Sequence, residues 1–163
     1  MTALEKDIDN ALAAESLANG KYLAFAWKAE KEGRRQAARL FRAAAESQAI
    51  HARNHLRARG AVRDTEENLK TALAEIEEFQ KMYLPMMDDA IAAADTWATK
   101  SFCYAFEAGK VFARLLERAR ENIGALEEAD YHICKVCGLT VEGDPPGKCP
   151  VCGSRKRSFR KIE

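Results

Sequence analysis

Five cysteines are present, and four of them fall in one short stretch. Cys134-Lys135-Val136-Cys137-Gly138 and Cys149-Pro150-Val151-Cys152-Gly153 form two CxxC pairs separated by eleven residues. A two-residue spacer in a tight turn lets both sulfurs of a pair face one ion. The glycine after each pair permits the positive φ that turns backbone amides toward sulfur. Two such knuckles complete a tetrahedral four-sulfur site, which suits zinc or a single iron. Disulfide pairing is the poorer reading, because CxxC pairs in a cytosolic chain more often bind metal. Spacing alone leaves a structural zinc ribbon and a redox-active iron both open.

The elements that must hold these residues differ sharply along the chain. Residues 131–163 contain Gly, Pro and Val without helical period, and a piece of 33 residues needs a staple beyond burial. Residues 2–128 are rich in Ala, Leu, Glu, Lys and Arg and predict helix almost throughout. Gly33 separates a first helix, about 3–32, from a second, about 35–59, which Gly60 caps. Asp64 or Thr65, followed by Glu66 and Glu67, opens a third helix running to about 93, with Pro85 bending or ending it. Asp95 opens a fourth, to about 127. Apolar residues recur at three and four, as in Leu40, Phe41, Ala44, Ala45 and in Phe102, Ala105, Phe106, Phe112, Leu115, Leu116. Four long helices with short connections predict an antiparallel bundle over residues 1–128, followed by a cysteine module over 129–163.

Charge follows the same division. The whole chain has 26 Lys/Arg and 25 Asp/Glu, which excludes a grossly basic nucleic-acid coat and an acidic solvating tail. Residues 131–163 hold seven basic and three acidic residues, so a +4 module follows a −3 helical part. With 47% hydrophobic residues and four prolines, the chain is not disordered. No run of eighteen apolar residues exists and charge begins at Glu5, so a soluble cytoplasmic protein without span or signal is expected.

The segment CKVCGLTVEGDPPGKCPVCGSRKRSF, with Phe159 a few residues beyond its last cysteine, resembles the short-loop rubredoxin module of rubrerythrins. One departure is His132, where an aromatic often stands two residues before the first cysteine; Tyr131 lies one step earlier. The helices can be searched for the ligands of a two-metal bundle: one Glu from each of two helices and a Glu-x-x-His from each of the others. Residues three apart on a helix share a face, so both can reach the axis. Glu15, among alanines in AAESLANGKY, resembles the stretch that opens rubrerythrins. In AAAESQAIHARNHL, His51 matches the metal-binding His, but Gln48 stands where its Glu partner belongs. ENLKTALAEIEEFQKMYLPM resembles the third helix of that family, with Glu75 and Glu78 at the two carboxylate positions. Glu107-Ala-Gly-Lys110 is the best match to the second Glu-x-x-His, with Lys for His.

The resemblance implies a ferritin-like four-helix bundle followed by a rubredoxin-like FeS4 domain. It implies iron on Cys134, Cys137, Cys149 and Cys152, with zinc possible there after overexpression. It further implies non-haem iron, one or two ions, on Glu15, His51, Glu75, Glu78 and Glu107, residues that would also be catalytic. In that family, electrons from an NAD(P)H-dependent rubredoxin reductase pass through the FeS4 iron to a di-iron centre that reduces hydrogen peroxide, within a homodimer. Neutral Gln48 cannot bridge two cations, and Lys110 is a cation rather than a ligand. A modified centre is therefore expected, holding one metal strongly or two weakly. Three functions stay open: a modified peroxidase, an electron carrier with a vestigial bundle, and a zinc-ribbon binding protein using Arg155, Lys156, Arg157, Arg160 and Lys161. Bland readings accompany these residues. The four glutamates could be solvated helix carboxylates. His55 is expected on the surface and Cys103 in the core. Tyr22, Tyr83 and Tyr104 are expected to fill core.

Overall fold

A computed structural model describes all residues, 1–163. The helices are α1 (Ala3–Lys31), α2 (Arg35–Ala58), α3 (Thr65–Ala92) and α4 (Thr96–Glu121). Three short strands follow, β1 (Tyr131–Cys134), β2 (Thr140–Glu142) and β3 (Phe159–Lys161). The chain divides into two compact units, residues 1–63 and 64–163. No helix is long and apolar enough to cross a membrane.

The first unit is a hairpin of α1 and α2. Thr2 and Glu5 form a reciprocal capping box, which satisfies amides that the first helical turn leaves without partners. The buried residues of this hairpin are all alanines, Ala26 and Ala29 in α1 and Ala38, Ala45 and Ala52 in α2. Asn19 donates its side-chain amide to Ala45 O at 2.8 Å. Phe25 and Phe41 meet edge to face at 5.5 Å, and Arg59 pairs with Asp9 at 3.0 Å. Leu40, counted in the apolar stripe of α2, is 68% exposed.

The second unit is a hairpin of α3 and α4 carrying the strands. Asp64 accepts from Glu67 N–H at α3, and Asp95 accepts from Trp97 and Ala98 N–H at α4. The third helix runs through Pro85 to Ala92 rather than ending there. The fourth stops at Glu121, earlier than about 127, because Asn122 leaves helical φ/ψ and its side-chain amide caps Arg118 O. The sheet order is β2-β1-β3, antiparallel throughout, with Cys134 opposite Phe159. Cys134, Cys137, Cys149, Leu139 and Phe159 form one buried cluster with Ala108 of α4, and Tyr104 and Val111 pack on it. The cysteine module thus shares its core with the fourth helix of its own chain.

Candidate metal centres

The two knuckles repeat one local geometry. In the first, Gly138 N–H donates to Cys134 O and Cys134 N–H to Leu139 O, both at 2.9 Å. In the second, Gly153 N–H donates to Cys149 O at 2.9 Å and Cys149 N–H to Ser154 O at 2.8 Å. Gly138 and Gly153 have φ of 76° and 73°, the left-handed conformation the sequence pattern required. The four Sγ atoms lie within 4.8 Å of one another, and none is in a disulfide. Across the knuckles, Cys134 and Cys152 are 3.7 Å apart and Cys137 and Cys149 3.5 Å. Four sulfurs on one tetrahedral ion at about 2.3 Å would stand about 3.8 Å apart. The donor set fits an ion of that kind.

Electrostatics at the sulfurs point the same way. Burial pushes the Cys134 thiol up, but Ser154 and the amides of Cys137 and Val136 stabilise its thiolate and bring it down to about 6. Burial raises Cys137 and Cys149 despite amides aimed at them from Leu139, and from Cys152 and Val151. Four thiolates so close together would repel one another, so a cation among the sulfurs is what would let all four ionise. The Ser154 hydroxyl is 3.3 Å from Cys134 Sγ and 3.1 Å from Cys152 Sγ. Sequence reasoning passed over Ser154; its position directly after the second knuckle was the available signal.

The helical residues fall in the two units separately. In the first, Glu15 Oε1 lies 3.5 Å from His51 Nδ1, and the Glu15 side chain is 27% exposed. That separation suits an ion pair with protonated imidazole, and also two neighbouring donors about one ion. Gln48 is half-buried one turn from His51. In the second unit, Glu75 and Glu78 are exposed on α3, and Lys81 holds Glu78 at 2.6 Å. Lys110 pairs with Glu107 at 2.6 Å while lying 5.0 Å over the Phe106 ring. His55 is half-buried rather than at the surface. Cys103 is also half-buried, with its thiol 3.5 Å from Met87 Sδ. Tyr83 is half-buried, its ring tilted 6.1 Å from that of Phe102.

Comparisons with known proteins cover nearly the whole chain. A family model described as Rubrerythrin matches residues 7–108, and one described as Rubrerythrin, rubredoxin-like domain, matches residues 132–160. The chain is 32% identical to Rubrerythrin-2 of Clostridium acetobutylicum, over 93% of its own length and 92% of that protein. It is 30% identical to Nigerythrin of Nitratidesulfovibrio vulgaris, over 97% and 87% of the two chains. Among solved structures, the fully reduced, all-ferrous state of nigerythrin matches with a TM-score of 0.59 at 25% identity, covering 99% of this chain and 88% of that one. The fold is accordingly a ferritin-like helical part with a rubredoxin-like module, and the chain belongs to the rubrerythrin family.

Proposed function

We propose that the chain is a rubrerythrin-type peroxide reductase with two functional parts, residues 1–128 and 129–163. An NAD(P)H-dependent reductase is its electron donor, and one hydrogen peroxide with two electrons and two protons gives two waters. Cys134, Cys137, Cys149 and Cys152 would hold the entry iron, and Glu15, His51, Glu75, Glu78 and Glu107 the reactive iron. When bound, these irons would supply one-electron carriage at the thiolates and reduction of peroxide oxygens at the carboxylates. The observation that carries the reading is the four-sulfur cluster inside a chain that matches rubrerythrin along both parts.

The residues have distinct tasks. Leu139 and Phe159 exclude water from the sulfurs, and the amides of each knuckle hold their charge. Glu15 Oε1 and His51 Nδ1, 3.5 Å apart, would both face the same ion. Ala108, next in sequence to Glu107, packs into the sulfur cluster, so electron entry and one reactive carboxylate share a compact unit. A soluble homodimer in the cytoplasm, without nucleic-acid or membrane partners, completes the reading.

The second reading is an electron carrier whose helical site is vestigial. Gln48 in place of a carboxylate and the Lys110–Glu107 pair favour it. Iron counting in protein purified anaerobically from iron-rich culture separates the two. About three irons per chain, with peroxide reoxidising the reduced protein and Glu75→Ala abolishing that step, supports the reductase. About one iron, all of it red and bleached by dithionite, leaves the carrier. A colourless zinc protein would retire both in favour of a zinc-ribbon binding protein.

A further inference from the structure

We infer that the second cysteine knuckle and the basic residues around it form a docking face for an acidic electron-carrier protein. The face comprises Lys135, Lys148, Arg155 and Arg157, set about the half-buried Cys152. Transfer across it moves one electron and no atoms: the carrier is oxidised, and sulfur-held iron(III) becomes iron(II). The inference rests on the reading of the four sulfurs as an iron site for entering electrons, and on no residue of the helical site.

Backbone hydrogen bonds gather the basic residues. Lys135, inside the first CxxC pair, donates its N–H to Ser158 O at 2.8 Å, and Ser158 N–H donates to Arg155 O at 2.8 Å. Arg155 lies across an antiparallel bridge from Lys148, and Arg157 is the neighbour of Ser158. The same stretch reaches the sulfurs, because Cys149 N–H donates to Ser154 O and the Ser154 hydroxyl stands 3.1 Å from Cys152 Sγ. Cys134, Cys137 and Cys149 are 1%, 8% and 2% exposed, so half-buried Cys152 is the ligand nearest solvent. Tunnelling falls steeply with distance, and a donor protein therefore gains most by seating there. Val136, at 54% exposure, and exposed Pro150 place apolar tips inside the charged rim, the anatomy of a protein interface. Arg160 is not part of the face. It follows the inward-facing Phe159 on β3 and so points to the other side of the sheet.

Charge selects the partner. In the module, Lys156 pairs with Asp144 and Lys161 with Asp130, whereas exposed Lys135, Lys148, Arg155 and Arg157 form no ion pair. The acidic side chains that could quench them are held elsewhere, Glu142 by Arg118 of α4 and Asp144 by Lys156. At physiological salt, charges beyond about 8 Å are largely screened, so a partner meets this patch and not the net +1 of the chain. An acidic protein surface is attracted to it and a basic one repelled. An extended polyanion such as RNA fits less well. Residues 64–130, in the same compact unit, hold seven Lys/Arg and fifteen Asp/Glu, a net −8 that repels it beyond the patch. A folded carrier touches the patch alone, because transient electron-transfer encounters bury less than about 1,200 Å².

The test maps the face before any electron moves. Zinc-loaded, nitrogen-15-labelled full chain is titrated with oxidised flavodoxin, a small acidic one-electron flavoprotein, and followed by amide NMR. Shifts are expected at Lys135, Lys148, Cys152, Arg155 and Arg157, and they should fade above about 0.5 M salt. Lys135→Gln with Arg155→Gln should weaken binding roughly fivefold to tenfold, and Arg160→Gln by less than about twofold. Cytochrome c, a basic protein, should produce no shifts. In iron-loaded protein, reduced flavodoxin should bleach the iron more slowly in the double variant by a similar factor. Reduction by the small cationic methyl viologen radical should not slow. No shifts, shifts centred on the helices, equal binding of cytochrome c, or tighter binding of a single-stranded RNA oligonucleotide overturns the proposal. Uptake of zinc alone from iron-rich culture overturns the entry-iron reading and the carrier with it. Peroxide takes no part in these steps, so a failure of peroxide to reoxidise the protein counts against the reductase reading alone.

Discussion

At the residue scale, Ser154 is the most specific departure from a bare four-cysteine site. Its hydroxyl sits within 3.3 Å of two sulfurs that come from different knuckles. Reduction of a thiolate-bound iron adds negative charge, and a hydroxyl donated to sulfur stabilises the reduced form more than the oxidised one. Ser154→Ala should therefore lower the reduction potential, by roughly 40 mV if about 1 kcal/mol of differential hydrogen bonding is lost. Spectroelectrochemistry reads that shift, and an unchanged absorption spectrum would show that the ligands stayed in place. Gln48 and Lys110 pose the complementary case in the helices. An amide lends at most a weak oxygen, and an ammonium bonded to Glu107 at 2.6 Å competes with any cation for that carboxylate. Gln48→Glu combined with Lys110→His should raise helix-bound iron toward two ions per chain, measured by elemental analysis. No gain would mean that Lys110 does not stand at the position of the family's histidine.

At the element scale, one turn recurs and differs by a single side chain. Gly33 at φ 73° ends α1, with Gly33 N–H bonded to Glu30 O and Arg34 N–H to Ala29 O. Ala94 at φ 53° ends α3 with the same pattern, to Ile91 O and Ala90 O. A Cβ in the left-handed region costs about 1–2 kcal/mol, partly offset by the extra chain entropy a glycine loses on folding. Ala94→Gly should then stabilise the helices by about 0.5–1 kcal/mol, visible as a higher urea midpoint at unchanged slope. The pairing of Gly33 with its neighbours was legible because glycine announces such a turn. Ala94 was invisible for the opposite reason, and its turn was found only through the N-cap at Asp95. Likewise the knuckles were legible in full, since two CxxCG runs dictate both ligand types and backbone sign. Pro85 was not, because a single proline can be absorbed within a long helix whose neighbours supply packing.

At the scale of the whole molecule, sequence and structure diverge over what a single chain can hold together. Composition and apolar periodicity gave four helices and a stapled module, which the fold contains. Periodicity reports which residues want burial, however, and not which chain buries them. Leu40 illustrates this, belonging to an apolar stripe yet standing 68% exposed. The helical ligands were legible only as matches to a family pattern, because surface and site glutamates look alike at this composition. The cysteine module and α4 share one buried cluster, with Tyr104 and Val111 packed on Cys134, Leu139 and Phe159. A metal held by the sulfurs stabilises the folded form that carries it. Stripping that metal with a chelator should therefore lower the melting temperature of the helices as well as loosen the strands, read by far-ultraviolet dichroism. Helices that melt unchanged in the stripped protein would show that this shared core contributes little to holding α4.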